Sequence, residues 1–309
     1  MEASIFNKII MPLGIVIIMY GLGLSLTVVD FRRVWTNPKV MSTGIALQIV
    51  GLPILGFMFC YALHLNPVMA MSVMLLSSSP GGAITNLVSF VSKGDAALSV
   101  SLTAVNSFIT VVTIPIVVTL SLGHFLGAEA AAQVRVWKLS LGILAITIPP
   151  IILGMLTKQK LPDFAKKSEK WVRRGTIAFL ATIATIVCIN ERALITEHYD
   201  EMTLLAVALC LLSGIMGMTV ASAVRFPRKH VLTLSIEVGL HNSAMAIAIA
   251  MSFLDMPELS IFSAFYLLVE YIISGILMGI MSSSVGDRIL GIKGEAAGEV
   301  AEKATEKIL

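Results

Sequence analysis

Long apolar runs alternate with short polar connections along this chain. Nine segments can be drawn that are each long enough to cross about 30 Å of hydrocarbon once interruptions are bridged. They run near residues 7–29, 40–63, 67–92, 95–123, 137–157, 174–190, 203–224, 230–253 and 260–283. Two cannot continue as regular helices. The third carries Pro80-Gly81-Gly82, which removes a backbone donor and stiffens or frees the chain where a helix needs neither. The eighth carries a glycine, Gly239, beside Glu237, His241 and Asn242 in an otherwise apolar run. The pattern predicts an all-α polytopic membrane protein with two discontinuous helices.

Charge fixes the direction of the segments. Numbering the connections alternately inside and outside puts 18 of the 22 Lys and Arg on one side and 4 on the other, namely Lys8, Arg135, Lys138 and Arg192. The richer side is cytoplasmic, so the N-terminus is expected outside and the C-terminus inside. Trp35, Trp137 and Trp171 lie at or just beyond segment ends, where an interfacial aromatic belt sits.

Composition narrows the class further. The chain is 57% hydrophobic and 13% charged, which no ordinary soluble domain matches. A net charge of +3 spread over segment ends leaves no nucleic-acid footprint, and no protein partner is implied. Cys60, Cys188 and Cys210 fall inside apolar runs at unrelated spacings, as small packing residues do. The first apolar run is longer than a signal-peptide core and lacks a small-x-small cleavage pattern, which predicts a retained spanning helix. The tail over 286–309 mixes Lys, Glu and Ala and reads as a short solvated helix. Motifs for zinc proteases, serine hydrolases and nucleotide loops are absent, so no enzyme is expected.

The chemistry gathers at the two breaks. A discontinuous helix leaves free amides on one half and free carbonyls on the other, and lipid satisfies neither. Anions can use the amides and cations the carbonyls. Alone, Pro80-Gly81-Gly82 is a plain kink. A second break holding Glu237, a carboxylate at membrane depth, points instead to an ion or substrate path. Thr85 and Asn86 follow the first break, and Ser99, Thr103, Asn106 and Thr110 recur at helical spacing in the next segment. Neutral oxygens with a single carboxylate suit a hard monovalent cation such as Na⁺, whereas Zn²⁺ needs clustered His or Cys. The same stripe also reads as hydrogen bonding between membrane helices. His241, four residues after Glu237, can share its face and make binding pH-dependent, or can be a satisfied core histidine. Glu270 in the ninth segment is open between proton coupling, substrate contact and a side chain turned to a polar cavity.

Each broken segment is followed by one more before the middle or the end of the chain. Five segments between equivalent members reverse the second set through the membrane, giving an inverted repeat of four plus five.

At these residues the sequence resembles the bile acid:sodium symporter family. The similarity rests on Pro80-Gly81-Gly82 with Thr85-Asn86, Gly94-Asp95 with Ala97 through Val100, and Ile236 through Asn242, and more weakly on Gly21 through Leu26, Asp30-Phe31 and Asn37-Pro38-Lys39. The resemblance implies two crossing broken helices in a core domain, about 40–123 and 203–283, and a panel domain, about 7–29 and 137–190. It implies uptake of an organic anion driven by two sodium ions, in a bacterial inner membrane. By motif, the first sodium site uses Thr85, Asn86, Ser99, Thr103 and Glu237; the second uses Gln48, Glu237, the backbone of Val238 and Leu240, and His241, where Gln is common. Asn242, Ala83, Pro80, Gly81, Gly82 and Glu270 are expected at the substrate. Two rivals stand beside this: a proton-coupled carrier using Glu237, His241 and Glu270, and a sensor that binds without transporting.

Overall fold

The computed structural model describes the backbone of residues 11–190, 192–283 and 286, while the side chain of Ala83 and most side chains between 169 and 199 lie outside that description. So do residues 7–10 of the first expected segment, the side chains of Cys188 and Arg192, and the expected tail helix beyond Gly286. Among the described residues every regular element is helical.

The first span ends early. Helix α1, Met11–Ser25, stops where Thr27 begins a new N-terminus, its amide donating to the Asp30 carboxylate at 2.7 Å. Helix α2, Val28–Thr36, leaves at 69° to α1. Helix α3, Pro38–Ala46, and α4, Leu52–Ala62, are one span joined by a π-helical turn, Leu47–Gly51, which turns Gln48 inward.

The third segment is divided as its sequence predicts. Helix α5, Pro67–Ser77, starts on an Asn66 cap that accepts from Met69 N at 2.9 Å and runs out before Pro80; α6, Ala83–Val91, restarts after Gly82. Helix α7, Ala96–Phe125, is capped by Asp95, whose side chain accepts from Leu98 N at 2.9 Å. The same carboxylate meets His230 at 3.2 Å and Arg33 at 3.7 Å, so one residue ties three chain segments together at this end. Then follow α8, Ala128–Gln133, and α9, Val136–Lys160.

Two boundaries differ from the sequence expectation. Helix α10 runs Pro162–Asn190, so the sixth segment starts well before 174 and Trp171 lies inside a helix instead of beyond its end. Helix α11 runs Arg192–Ala223, making the expected outer connection before 203 helical. In both places charged and polar residues hide the continuation from a hydropathy reading, although nothing in them breaks a helix.

The eighth segment is α12, Arg228–Gly239, then α13, Ser243–Ala248, continued by a π-helical turn, Ile249–Phe253; a 3₁₀ turn, Pro257–Ser260, leads into α14, Ile261–Ser282. Leu240 is extended, with φ −106° and ψ 126°, and the Asn242 side chain restarts the helix by accepting from Met245 N at 3.1 Å.

Six helices among the described residues are long and apolar enough to cross a membrane singly. The broken span Arg228–Phe253 is 89% buried, against 33–56% for the other five. Those others turn Val50, Ile54, Met58, Leu120 and Leu153 outward, a surface that suits hydrocarbon. The discontinuous elements therefore sit inside a shell of continuous ones, where protein can satisfy their free backbone groups.

Backbones touch where α1 meets α9. A Cβ on Gly23 would lie 2.2 Å from Ile151 O, and one on Gly154 would lie 2.4 Å from Tyr20 O. Gly154→Val is expected to destabilise the protein by at least about 1–3 kcal/mol. Gly175→Ala, with nothing within 4 Å of its new methyl, is the control and should leave stability equal or slightly higher. Thermal unfolding in detergent measures both; equal midpoints would mean that α1 and α9 are not in backbone contact.

Candidate functional site

The two breaks meet. Asn242 N donates to Ser79 O at 2.9 Å, joining the irregular backbone of one to that of the other. Gly81 makes the approach possible, because a Cβ there would lie 3.0 Å from Glu237 O and 3.1 Å from its Oε2. Ser78 and Ser79 turn their hydroxyls back to Leu75 O, at 2.8 and 3.0 Å, and so serve a carbonyl that α5 leaves free.

Glu237 is completely buried at this junction. Ser99 Oγ donates to its Oε1, and Thr103 Oγ1 lies 3.4 Å from its Oε2. Asn86 Oδ1 faces the same hydroxyls, at 2.8 Å from Ser99 and 3.2 Å from Thr103, and Ser99 O lies 3.1 Å from Thr103 Oγ1. Each hydroxyl has one proton to give. Their two protons are shared among four acceptor oxygens, and the side chains of Gln48 and Thr85 also bond Glu237. Among the described residues no Lys, Arg or His pairs with Glu237. A buried carboxylate in a surplus of lone pairs is a donor set that fits a small hard cation.

The five residues expected at the first sodium site are thus in one cluster, Thr85 joining it by a side-chain hydrogen bond to Glu237. Thr85 is buried, bonds Gly82 O at 2.7 Å, and places its methyl 3.0 Å from where a Gly81 Cβ would be.

The second expected set is only partly assembled. Gln48 reaches Glu237, but with nitrogen: Nε2 lies 2.9 Å from the Glu237 carbonyl and 3.3 Å from Oε2, while Oε1 accepts from Asn106 Nδ2. Val238 packs with Leu47 and Leu52, and Leu240 N donates to Ile236 O at 3.0 Å. His241 does not share a helical face with Glu237. Helix α12 ends at Gly239, so the four-residue spacing no longer returns the side chain to the same side. Its imidazole is instead 2.7 Å from the Tyr266 hydroxyl, which itself donates to Gly239 O at 2.6 Å. Since that hydroxyl spends its proton on the carbonyl, His241 Nδ1 carries the hydrogen, and Nε2 is left as a buried acceptor with no partner among the described residues. Sequence reasoning missed Tyr266; its one signal is a position four residues before Glu270, on the same face of α14.

Beside the breaks lies a cavity of about 350 Å³, walled by α1, α6, α7, α9, α10, α13 and α14. Gly82, Asn242 and Glu270 line it, as expected of substrate residues. Pro80 and Gly81 face a smaller space of about 20 Å³ instead, with Asn106 and Thr110 of the polar stripe. That space is about the size of one water. Glu270 is 2% exposed and accepts from Ser243 Oγ at 3.2 Å. Lys158, from the end of α9, also lines the large cavity and was not anticipated; its ammonium donates to Ser25 O at 2.5 Å.

Comparison with known proteins gives a consistent picture. The profile described as the Sodium Bile acid symporter family matches residues 12–198. The chain is 27% identical to a probable chloroplastic sodium/metabolite cotransporter, BASS2, of Oryza sativa subsp. japonica, over 81% of this chain and 58% of that protein. It is 27% identical to the sodium-dependent transporter YocS of Bacillus subtilis (strain 168), over 76% of this chain and 71% of the relative. The human sodium-dependent organic anion transporter is 23% identical, over 75% and 60% of the two chains. The chain thus spans about three fifths of the rice protein's length.

The pairing of His241 with Tyr266 is separate from the Glu237 cluster, and this can be measured. Tyr266→Phe leaves a buried Nδ1–H without its acceptor and should cost about 1–3 kcal/mol of stability. Affinity for Na⁺ should stay within about threefold of the parent protein, because no Tyr266 atom joins the Ser99, Thr103 and Glu237 group, and a shift of that size is under 1 kcal/mol. Unfolding and Na⁺ titration of the same variant check the two halves.

Proposed function

Because the chain belongs to the Sodium Bile acid symporter family, we propose that it is a sodium-coupled symporter of a small organic anion. Its family and relatives are transporters, not enzymes, and its apolar helices make it an integral membrane protein. The observation that carries the reading is Glu237: a fully buried carboxylate at the meeting of two helix breaks, ringed by Ser99, Thr103, Asn86 and Gln48, without a basic partner among the described residues. The relatives' names, sodium/metabolite cotransporter and sodium-dependent organic anion transporter, support the choice of ion and substrate class.

In this mechanism sodium is cargo. An ion at Glu237 with Thr85, Asn86, Ser99 and Thr103 neutralises the carboxylate and holds α6, α7 and α12 together. A second ion uses Glu237, the carbonyls of Val238 and Leu240, and Gln48 after its amide rotates, with His241 at the edge. Joining the breaks aims the half-helix ends at Asn242, Gly82 and the large cavity, where the anion binds. A core of about 40–123 and 203–283 then moves against a panel of about 7–29 and 137–190, opening the cavity to one side at a time. Nine spans in an inverted four-plus-five repeat, N-terminus outside and C-terminus cytoplasmic, give the plasma-membrane topology. The proton-coupled alternative has weaker support, since the His241 imidazole bonds Tyr266 and only the His241 backbone bonds Glu270.

Na⁺ at one hundred times its Kd should stabilise the protein by about 2.7 kcal/mol. Glu237→Gln should abolish this shift and Na⁺-driven uptake together. The Ser99→Ala, Thr103→Ala double variant should weaken Na⁺ by about tenfold or more, as two neutral ligands are lost. Thermal shift in Na⁺ against K⁺, with uptake into proteoliposomes under an imposed Na⁺ or H⁺ gradient, tests the reading. Undiminished stabilisation of the Gln variant by Na⁺, or uptake that follows H⁺ alone, would overturn it.

A further inference from the structure

The large cavity is not a simple anion pocket. Its wall carries one ammonium, Lys158, and one carboxyl group, Glu270, and the two are not paired with each other. Lys158 gives one N–H to Ser25 O and keeps two. Glu270 accepts from Ser243 Oγ and from the His241 backbone, and among the described residues no basic side chain pairs with it. A carboxylate this buried is costly unless an opposite charge joins it. The sodium cluster does not supply that charge, because its contacts centre on Glu237 and none of its recorded hydrogen bonds reaches Glu270. A plain carboxylate substrate would bring no positive charge for Glu270 and would repel it once ionised.

A ligand with both signs removes the conflict. We propose that the transported carboxylate is dipolar, a small zwitterion that also bears a protonated amine, with its ammonium on Glu270 and its carboxylate toward Lys158. Glu270 also sets the orientation. It already takes the Ser243 hydroxyl at the start of α13, so the ligand's ammonium goes there and its carboxylate is left to the ammonium of Lys158, which lines the same cavity. The volume of about 350 Å³ lies at the small end of ligand pockets, which suits a compact amino acid and not a bulky steroid. This inference rests on the symporter reading for the place of the substrate, but its charge pattern is independent of which ion drives transport.

The probes are ω-amino acids, glycine, β-alanine, 4-aminobutyrate and 6-aminohexanoate, each against the plain carboxylate of the same length. Binding to the full-length protein in Na⁺ is read by thermal shift and by competition. At least one amino acid should bind tenfold or more tightly than its matched carboxylate. Glu270→Gln should erase that ratio while Na⁺ affinity stays unchanged, since Glu270 is outside the sodium cluster. Lys158→Met should weaken amino acids and plain carboxylates alike, and Lys158→Arg should restore them, which a role confined to Ser25 would not do. Plain carboxylates binding as well as amino acids at every length, or a ratio that survives in the Gln variant, would overturn the proposal. An amino-acid preference that persists without Na⁺ would support it while overturning sodium coupling, so the two failures are distinct.

Discussion

A carboxylate placed where water and lipid cannot serve it governs this structure. Glu237 is entirely buried, and its neighbours are hydroxyls, amides and backbone carbonyls. The cost of such a group falls on whatever surrounds it. Ser99 and Thr103 must lie on one face of α7, Gln48 must be swung inward by a π-helical turn, and Gly81 must lack a side chain. Each of these is a local oddity by itself. Together they are what a buried carboxylate without a basic neighbour requires.

The breaks follow from the same demand. A continuous helix would satisfy its own backbone and offer nothing to a ligand, whereas an interrupted one exposes polar groups that need cover. The structure covers them mutually, with Asn242 bonding Ser79 and serine hydroxyls folding back onto Leu75. Placing the broken span inside a shell of continuous helices keeps lipid away from it. Helices α1, α9 and α10 wall the large cavity, which Gly82, Asn86 and Asn242 from the two breaks also line.

Much of this was legible in the chain as written. Helical periodicity in Ser99, Thr103, Asn106 and Thr110 marked a polar stripe, Pro80-Gly81-Gly82 marked one break, and Glu237 in an apolar run marked the site. These signals are local, and local spacing is preserved inside a regular helix. His241 shows the limit. Its distance of four residues from Glu237 implies a shared face only while the helix lasts, and the helix stops at Gly239, sending the imidazole to Tyr266 on α14. The starts of α10 and α11 were hidden for another reason: hydropathy reports what lipid tolerates, not where hydrogen bonding ends.

The sequence by itself determined the helical class, the family and the identities of the acceptor oxygens, because side-chain chemistry and spacing within one helix need no partner. Only the tertiary structure decided which of them meet. That Gln48 offers nitrogen to Glu237, that Tyr266 fixes the His241 tautomer, and that Lys158 and Glu270 share a cavity wall all depend on contacts between residues tens to hundreds of positions apart. Such contacts are set by how helices pack, and packing answers to the shapes and unsatisfied groups of every neighbour at once.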